Sequence, residues 1–248
     1  EKNVLASVVG RFDSSGEQAN DILVLTRSET MLVHGRADGT LGQSDRSDWV
    51  PAEWFGESEF LGSLFVAGEL DGDSRSDEIV GVFSIDRDID LWASRMVVAH
   101  VEPGQTPIEL ELTQLDLAEQ GLARKLQLVD VDGDGRKDIV VGFGYPWEYQ
   151  RHVTVYWNDG ALVPSRSWNP EVAGAPVERL TVLNADTDPE LELAVAVTAE
   201  AGGAVYILDP TGPREYSTPE RPVIVSDDAI ADLLAADVDG DGLDDLLV

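Results

Sequence analysis

The chain has 248 residues, 43% of them hydrophobic, and it contains no cysteine. This apolar content suffices for a packed core, and the absence of thiols excludes disulfides and thiolate metal sites. With 17 basic against 48 acidic residues the net charge is −31, which disfavours nucleic acid, anionic membranes and anionic polysaccharides as partners. No apolar run approaches the length that crosses a bilayer.

Five segments in chain order share one pattern: an apolar run, a short acidic loop and a second apolar run. They read VVGRFDSSGEQANDILVL, FVAGELDGDSRSDEIVGV, LQLVDVDGDGRKDIVVGF, TVLNADTDPELELAVAV and LLAADVDGDGLDDLLV. The last acidic residues of the loops are Asp21, Asp77, Asp138, Glu192 and Asp245, so successive spacings are 56, 61, 54 and 53 residues. A period of that size indicates a repeated supersecondary unit, as in propellers and solenoids.

Each of the first four repeats continues with a β-branched or aromatic stretch and then a turn signal. The stretches are TMLVHG, MVVAHV, VTVYW and AVYIL. The runs after two of the loops, 139–141 and 193–197, are apolar without alternation, which is typical of strands buried on both faces. About four strands per repeat are therefore predicted, the size of a propeller blade. Apolar spacing at 114–126 would suit a short helix instead.

We expect an all-β fold, one β-propeller segment made of five repeats. Their approximate bounds are 1–58, 59–121, 122–175, 176–228 and 229–248, the last incomplete. The second strand of the fifth repeat has only begun at Val248. An unpaired apolar sheet edge invites aggregation. We therefore expect about four and a half blades of a ring that has about six to eight in the parent protein.

The loop DVDGDGRKD at 130–138 has the composition of a cation site. Its positions one, three, five and nine are Asp130, Asp132, Asp134 and Asp138. Position seven, Arg136, would offer its backbone carbonyl, and Gly133 and Gly135 permit tight turns. Calcium takes six to eight hard oxygen ligands, and carboxylates packed this closely repel one another without a cation. The alternative is an ordinary Asp-Gly surface turn.

Three other loops repeat this arrangement with different completeness. The 237–245 loop offers Asp237, Asp239, Asp241 and Asp245, with the carbonyl of Leu243. The 69–77 loop offers Glu69, Asp71, Asp73 and Asp77, with the carbonyl of Arg75. The 184–192 loop offers Asn184, Asp186, Asp188 and Glu192, with the carbonyl of Glu190.

The sixth position separates these loops. It is Gly242 in the 237–245 loop, Ser74 in the second repeat and Pro189 in the fourth. Serine would be strained at a positive φ, and proline, whose φ is fixed near −65°, conflicts with such a turn. In the first repeat Arg11 and Ser15 replace two acids, and we expect no site there.

The loops open like an EF-hand, but an EF-hand needs a glutamate at position twelve and flanking helices. The unit apolar–DxDGDGxxD–apolar, with VVGFG after the loop and VTVYWNDG downstream, instead resembles the FG-GAP and VCBS repeats across essentially the whole chain. The first repeat departs from that pattern, and no repeat shows a clean Gly-Ala-Pro. The resemblance implies an integrin-like β-propeller that binds calcium between the first two strands of a blade. It also implies an extracellular protein, secreted or at the cell surface. Three lysines against fourteen arginines suit a GC-rich bacterial source.

Two functions from different classes fit such a chain. The first is a calcium-stabilised scaffold for adhesion or for binding an extracellular protein or glycan, with the remaining blades of a longer chain as a further partner. The second is a carbohydrate-active enzyme, a polysaccharide lyase or hydrolase. The best catalytic candidate is the group His152, Tyr149 and Tyr145, because a Tyr–His pair can act as general acid and base. A polar loop tip is the simpler interpretation, and the scaffold is the reading we prefer.

Overall fold

The described part of the chain is all-β. The computed structural model describes residues 4–12, 19–26, 29–47, 60–72, 78–88, 91–101, 110–117, 122–144, 152–160, 162–168, 177–199, 202–212, 214–217 and 219–248. These ranges contain twenty strands and no helix. A helix able to cross a membrane is accordingly not found among them.

Residues 1–119 form one compact unit, the N-terminal unit, with two antiparallel sheets. The first sheet has β1 (Val4–Gly10), β2 (Asp21–Thr26), β3 (Thr30–Gly35) and β4 (Leu41–Ser47), paired in that order. The second has β5 (Phe60–Gly68), β6 (Glu78–Asp88), β7 (Leu91–Val101) and β8 (Leu110–Leu117), also in order. One core cluster joins them, since Leu23 and Leu32 of the first sheet share it with Ile79 and Ala99 of the second.

Residues 120–248 form the C-terminal unit. Its third sheet has β9 (Ala123–Val129), β10 (Asp138–Phe143), β11 (His152–Asn158) and β12 (Leu162–Trp168). The fourth sheet has β13 (Val177–Leu183), β14 (Glu192–Ala199), β15 (Gly202–Leu208) and β18 (Ile224–Ser226). Two smaller pairs complete it: β16 (Pro210–Gly212) with β17 (Glu215–Tyr216), and β19 (Leu234–Ala236) with β20 (Asp245–Leu247).

Strand β14 is buried on both of its faces, as its unbroken apolar run predicts. Leu193, Val195 and Val197 share a core cluster with residues of the third sheet. Ala194 and Ala196 share another cluster with Ile230, Leu233 and the β19–β20 pair. Alternate residues of a strand point to opposite faces, so one strand serves two packing layers, with large side chains on one side and alanines on the other.

The prediction of a short helix at 114–126 is wrong. Residues 110–117 form β8, which pairs along its length with β7, and residues 123–129 form β9, which pairs with β10. Helical spacing over so few residues is a weak signal, and the ladder of backbone hydrogen bonds with the neighbouring strand overrides it.

Candidate metal sites in the acidic loops

The 130–138 loop connects β9 to β10, and two glycines set its path. Gly133 and Gly135 have φ of 72° and 89°, a conformation that other residues adopt only with strain. This path brings the Gly135 N–H to Oδ2 of Asp130 at 2.8 Å. The next acid, Asp132, accepts from the N–H of Asp134 at 3.3 Å, and Asp134 accepts from that of Arg136 at 2.8 Å. The loop is therefore organised by its own carboxylates.

The ninth residue of this loop, Asp138, is buried and fixed from two directions. Its Oδ2 accepts from the backbone N–H of Val131 at 3.0 Å, and its Oδ1 from that of Asn158, at the end of β11, at 2.9 Å. Only 1% of the residue is exposed. Burial raises the pKa of Asp138 to about 6, and the negative charges of Asp132 and Asp134 add to the rise, while the two backbone bonds oppose it.

Three carboxylates of this loop converge. One oxygen each of Asp130, Asp132 and Asp138 lies within 4.8 Å of the others, a grouping that could hold a metal ion. Oδ1 of Asp130 is buried with no hydrogen-bond donor in reach among the described residues. A buried acceptor left unsatisfied is costly, and a bound cation would satisfy it. The donors are all hard oxygens, so the residues present fit a hard divalent cation.

The other predicted ligands of this loop lie outside that group of three. The carboxylate of Asp134 is turned back to the N–H of Arg136. Arg136, for which a carbonyl ligand is predicted, uses its N–H in the same bond. Asp130, Asp132 and Asp134 thus all accept backbone bonds within the turn, and Asp130 and Asp132 also converge with Asp138.

The 237–245 loop connects β19 to β20 and repeats the same bonds. Asp237 accepts from the N–H groups of Gly240 and Gly242 at 2.7 and 3.1 Å, through its two oxygens. Asp239 accepts from Asp241, which accepts from Leu243, as in the other loop. Asp245 accepts from Val238 at 3.1 Å. The carboxylates that converge here are those of Asp237, Asp239 and Asp245, all exposed.

The 184–192 loop connects β13 to β14 by a different backbone route. Positive φ is found at Arg214 alone among the described non-glycine residues, so this loop turns without it, as Pro189 requires. Asp186 and Asp188 still accept from N–H groups two residues ahead, at 2.8 and 3.1 Å. The group that could hold a metal consists of Asp186, Glu192 and Asp209. Glu190, for which a carbonyl ligand is predicted, is exposed, and its N–H donates to the carboxylate of Asp188.

The 69–77 loop is described only up to Gly72. Asp73, Arg75 and Asp77 lie outside the described residues. Glu69 accepts a hydrogen bond from the N–H of Gly72, whose φ is 90°, and Asp71 is exposed.

Sequence reasoning missed Glu78 in this repeat. Glu78 begins β6, is 3% exposed and accepts from the N–H of Leu70 at 3.0 Å. This is the bond that the ninth acid makes in the other repeats, where the pairs of donor and acceptor are Phe12 and Asp21, Val131 and Asp138, Ala185 and Glu192, and Val238 and Asp245. The signal that could have found Glu78 is its place directly before the apolar run IVGVF. The second loop is thus one residue longer than the third.

The first repeat keeps this bond although its loop has lost acids. Asp21 is 1% exposed and accepts from the N–H of Phe12 at 3.0 Å and of Gly35, at the end of β3, at 2.9 Å. Asp138 makes the same two bonds in the third repeat. In the first and third repeats the last acid of the loop therefore connects the entry of the loop to the end of the third strand.

A positively charged side chain, Arg214, lies beside the 130–138 loop. Arg214, in the turn between β16 and β17, has a φ of 65° and pairs through two nitrogens with the carboxylate of Asp159. Its Nε is 3.5 Å from Oδ2 of Asp132, and its guanidinium lies 5.5 Å from the ring centroid of Trp157. The hydrogen bond to Asp159 is the main cause that raises the pKa of Arg214. This arginine offsets part of the negative charge at the loop, and its distance along the chain hid it from sequence analysis.

His152 and His34 both contact side chains of neighbouring strands. His152, at the start of β11, is fully buried and stacked on Phe143 with ring centroids 4.9 Å apart. Tyr145 and Tyr149 lie outside the described residues. Nε2 of His34 is 2.9 Å from Oδ2 of Asp45 on the neighbouring strand. A buried imidazole cannot reach a substrate in solvent, so the position of His152 favours a packing role over catalysis.

A scan against protein families finds none that matches this chain, and a search of curated proteins finds none similar to it in sequence. The FG-GAP and VCBS assignment thus stays a prediction from the motif.

Proposed function

We propose that this chain is a calcium-stabilised β-propeller segment of the FG-GAP and VCBS type. The observation that carries the proposal is Oδ1 of Asp130, buried without a donor beside two further carboxylates. Calcium is the cation of choice, since it accepts an irregular set of hard oxygens at a flexible loop, whereas magnesium demands near-octahedral geometry. Extracellular calcium modules work with weak sites, because the ion there is millimolar.

The packing of the C-terminal unit supports blades rather than a two-sheet sandwich. The third sheet is built from four consecutive strands and the fourth from β13, β14, β15 and β18. Strand β14 is covered on one face by the third sheet and on the other by Ile230, Leu233 and the β19–β20 pair. A central layer covered on both faces is what a propeller blade has.

The loops of neighbouring sheets also touch in this unit. The N–H and C=O of Asn184 bond Asp244, through its carboxylate at 2.9 Å and its N–H at 2.7 Å. An added Cβ at Gly133 would lie 3.8 Å from the carbonyl oxygen of Pro189. The three acidic loops of this unit thus lie next to one another.

The role that fits this architecture is a secreted or cell-surface scaffold that binds an extracellular protein or glycan. Calcium would hold the loops rigid, and preorganised loops bind ligands with a smaller entropy cost. The alternative, a carbohydrate-active enzyme, needs convergent titratable groups, and the described candidate, His152, is buried.

Thermal unfolding of the 248-residue chain in millimolar calcium, millimolar magnesium and chelator tests the metal assignment. Binding to the folded state alone contributes about 2.7 kcal/mol per site at a hundredfold excess over Kd. We expect a higher Tm in calcium than in magnesium or chelator. Equal melting temperatures in all three would refute the calcium assignment. A glycan and protein array probed in calcium and in chelator then tests the scaffold role, which predicts calcium-dependent binding without turnover.

A further inference from the structure

In the third sheet, the acid at position nine of the loop accepts a hydrogen bond from a backbone N–H at the end of β11. Ile139, the residue after Asp138, pairs with Tyr156, two residues before Asn158. The N–H of Asn158 donates to Oδ1 of Asp138. The first sheet has the same arrangement. Ile22, the residue after Asp21, pairs with Val33, and the N–H of Gly35, two residues further on, donates to Oδ1 of Asp21. The donor therefore belongs to a fixed register position.

In the fourth sheet that position is a proline. Leu193, the residue after Glu192, pairs with Leu208, two residues before Pro210. Proline has no N–H, so the donor is absent. The same register places a carboxylate, Asp209, where the third sheet has Trp157.

A second proline removes a second donor from the same loop. In the 130–138 and 237–245 loops the N–H at position six donates to the acid at position one. Position six of the 184–192 loop is Pro189, and position one is Asn184. Two buried acceptors consequently have no donor in reach among the described residues: Oε1 of Glu192 and Oδ1 of Asn184.

The carboxylate of Glu192 lies at a convergence of negative charge. Oxygens of Asp186, Glu192 and Asp209 lie within 4.8 Å of one another, and only 1% of Glu192 is exposed. The backbone of Asp209 is fixed by two bonds with Ser217, at 2.9 Å to its hydroxyl and 2.7 Å from its N–H. A buried carboxylate oxygen that lacks a donor and faces two more carboxylates needs a positive charge.

We infer that Asn184, Asp186, Glu192 and Asp209 bind an oxygen-preferring divalent cation, which takes the place of the two N–H donors that Pro189 and Pro210 remove. Asp209 lies outside the nine-residue loop and comes from the end of the third strand, so this site differs in construction from the other two. The inference stands on its own oxygens and does not require cations in the 130–138 and 237–245 loops.

Ion counting by native mass spectrometry of the 248-residue chain, with calcium as the probe, tests this site. Asp209→Asn should lose one bound calcium, while Asp227→Asn, an equally exposed acid of the same unit, should lose none. In a second background, Asp130→Asn with Asp237→Asn disables the other two loops. That variant should bind two calcium ions fewer than the parent chain, and the addition of Asp209→Asn should remove one more. Circular dichroism of each variant establishes that it is folded.

The outcomes separate this inference from the proposed function. If Asp209→Asn binds as many ions as Asp227→Asn, or if the double variant binds none, the fourth-repeat site is refuted. If instead the double variant loses no ion relative to the parent chain, it is the calcium assignment of the other two loops that fails. Glu192→Gln gives an independent reading, because it removes one of the three converging carboxylates and should weaken calcium binding by at least about tenfold if Glu192 is a ligand.

Discussion

The 130–138 and 237–245 loops have nearly the same sequence and the same internal bonds, yet their surroundings differ. The second residue of the loop is 1% exposed as Val131 and 64% exposed as Val238. The acid at position nine is buried as Asp138 and bonded to Val131 of its own loop and to Asn158 of β11, whereas Asp245, which is exposed, accepts one bond within the described residues. The motif therefore dictates the turn, and the neighbouring strands dictate burial and electrostatics.

This difference has a direct structural cause. β10 lies inside a four-stranded sheet and is covered by the fourth sheet, and every residue of it is buried. β20 pairs only with β19 in the described part of the chain. The same carboxylate can thus act as a buried connection in one repeat and as an exposed group in another.

The largest expected effect comes from deleting the ninth acid in each loop. Asp138→Ala leaves two backbone N–H groups without acceptors, each worth about 1–3 kcal/mol when buried. Both variants also lose a calcium ligand in saturating calcium, so we expect the loss in Asp138→Ala to exceed that in Asp245→Ala by at least about 2 kcal/mol in urea unfolding. Asp138→Asn, whose amide keeps one acceptor, should lie between them. Equal losses at the two sites would show that burial does not separate these loops.

A smaller effect concerns pH in the metal-free protein. Because the folded-state pKa of Asp138 is raised to about 6, its contribution to stability is fully present below the unfolded-state value, near 3.8, and is lost as pH rises through about 6. In chelator, the free energy of unfolding should fall by roughly 2–3 kcal/mol between pH 4 and pH 7 from this group.

Denaturant unfolding across that pH range checks the prediction. Asp138→Asn should flatten the decline, and Asp245→Asn should leave it in place. If the free energy of unfolding of Asp138→Asn fell with pH as steeply as that of the parent chain, another group would be responsible for the pH dependence. Calcium should reverse the trend, because the cation binds the ionised form.

The all-β class and the positions of the acidic loops were predictable from the sequence because their signals are local. The DxDG spacing marks the turn between the first two strands of a repeat, and an unbroken apolar run marks a strand buried on both faces. Glu78 was missed because one additional residue in the second loop shifts the count. Asp209 and Pro210 were missed because their roles depend on the register between β14 and β15, which a single sequence does not reveal.

Arg214 was out of reach for a related reason. It contacts Asp159, which is 55 residues away along the chain, from the β16–β17 hairpin, which has no counterpart among the described residues of the other repeats. Long-range ion pairs follow from folding and not from local pattern. The candidate sites could therefore be placed from sequence, but the groups that tune them could not.

The smallest expected effect tests this arginine. Arg214→Gln removes a positive charge 3.5 Å from Asp132 and should strengthen calcium binding at the 130–138 loop by about twofold to fivefold, the range of a partly exposed ion pair. The matched control is Arg221→Gln, an exposed arginine of the same unit. Calorimetry in the Asp237→Asn, Asp209→Asn background removes the other two sites of the C-terminal unit. Weaker binding in Arg214→Gln would mean that the arginine organises the site more than it opposes the cation.

The most direct test of the central claim is a crystal structure of the chain grown in saturating calcium, with the anomalous signal used to locate the ions. The account predicts a calcium ion in the 130–138 loop, bound by Asp130, Asp132 and Asp138, with Oδ1 of Asp130 among its ligands. A well-ordered loop that holds no calcium under these conditions, with that oxygen bonded instead to a water or to another part of the chain, would contradict it.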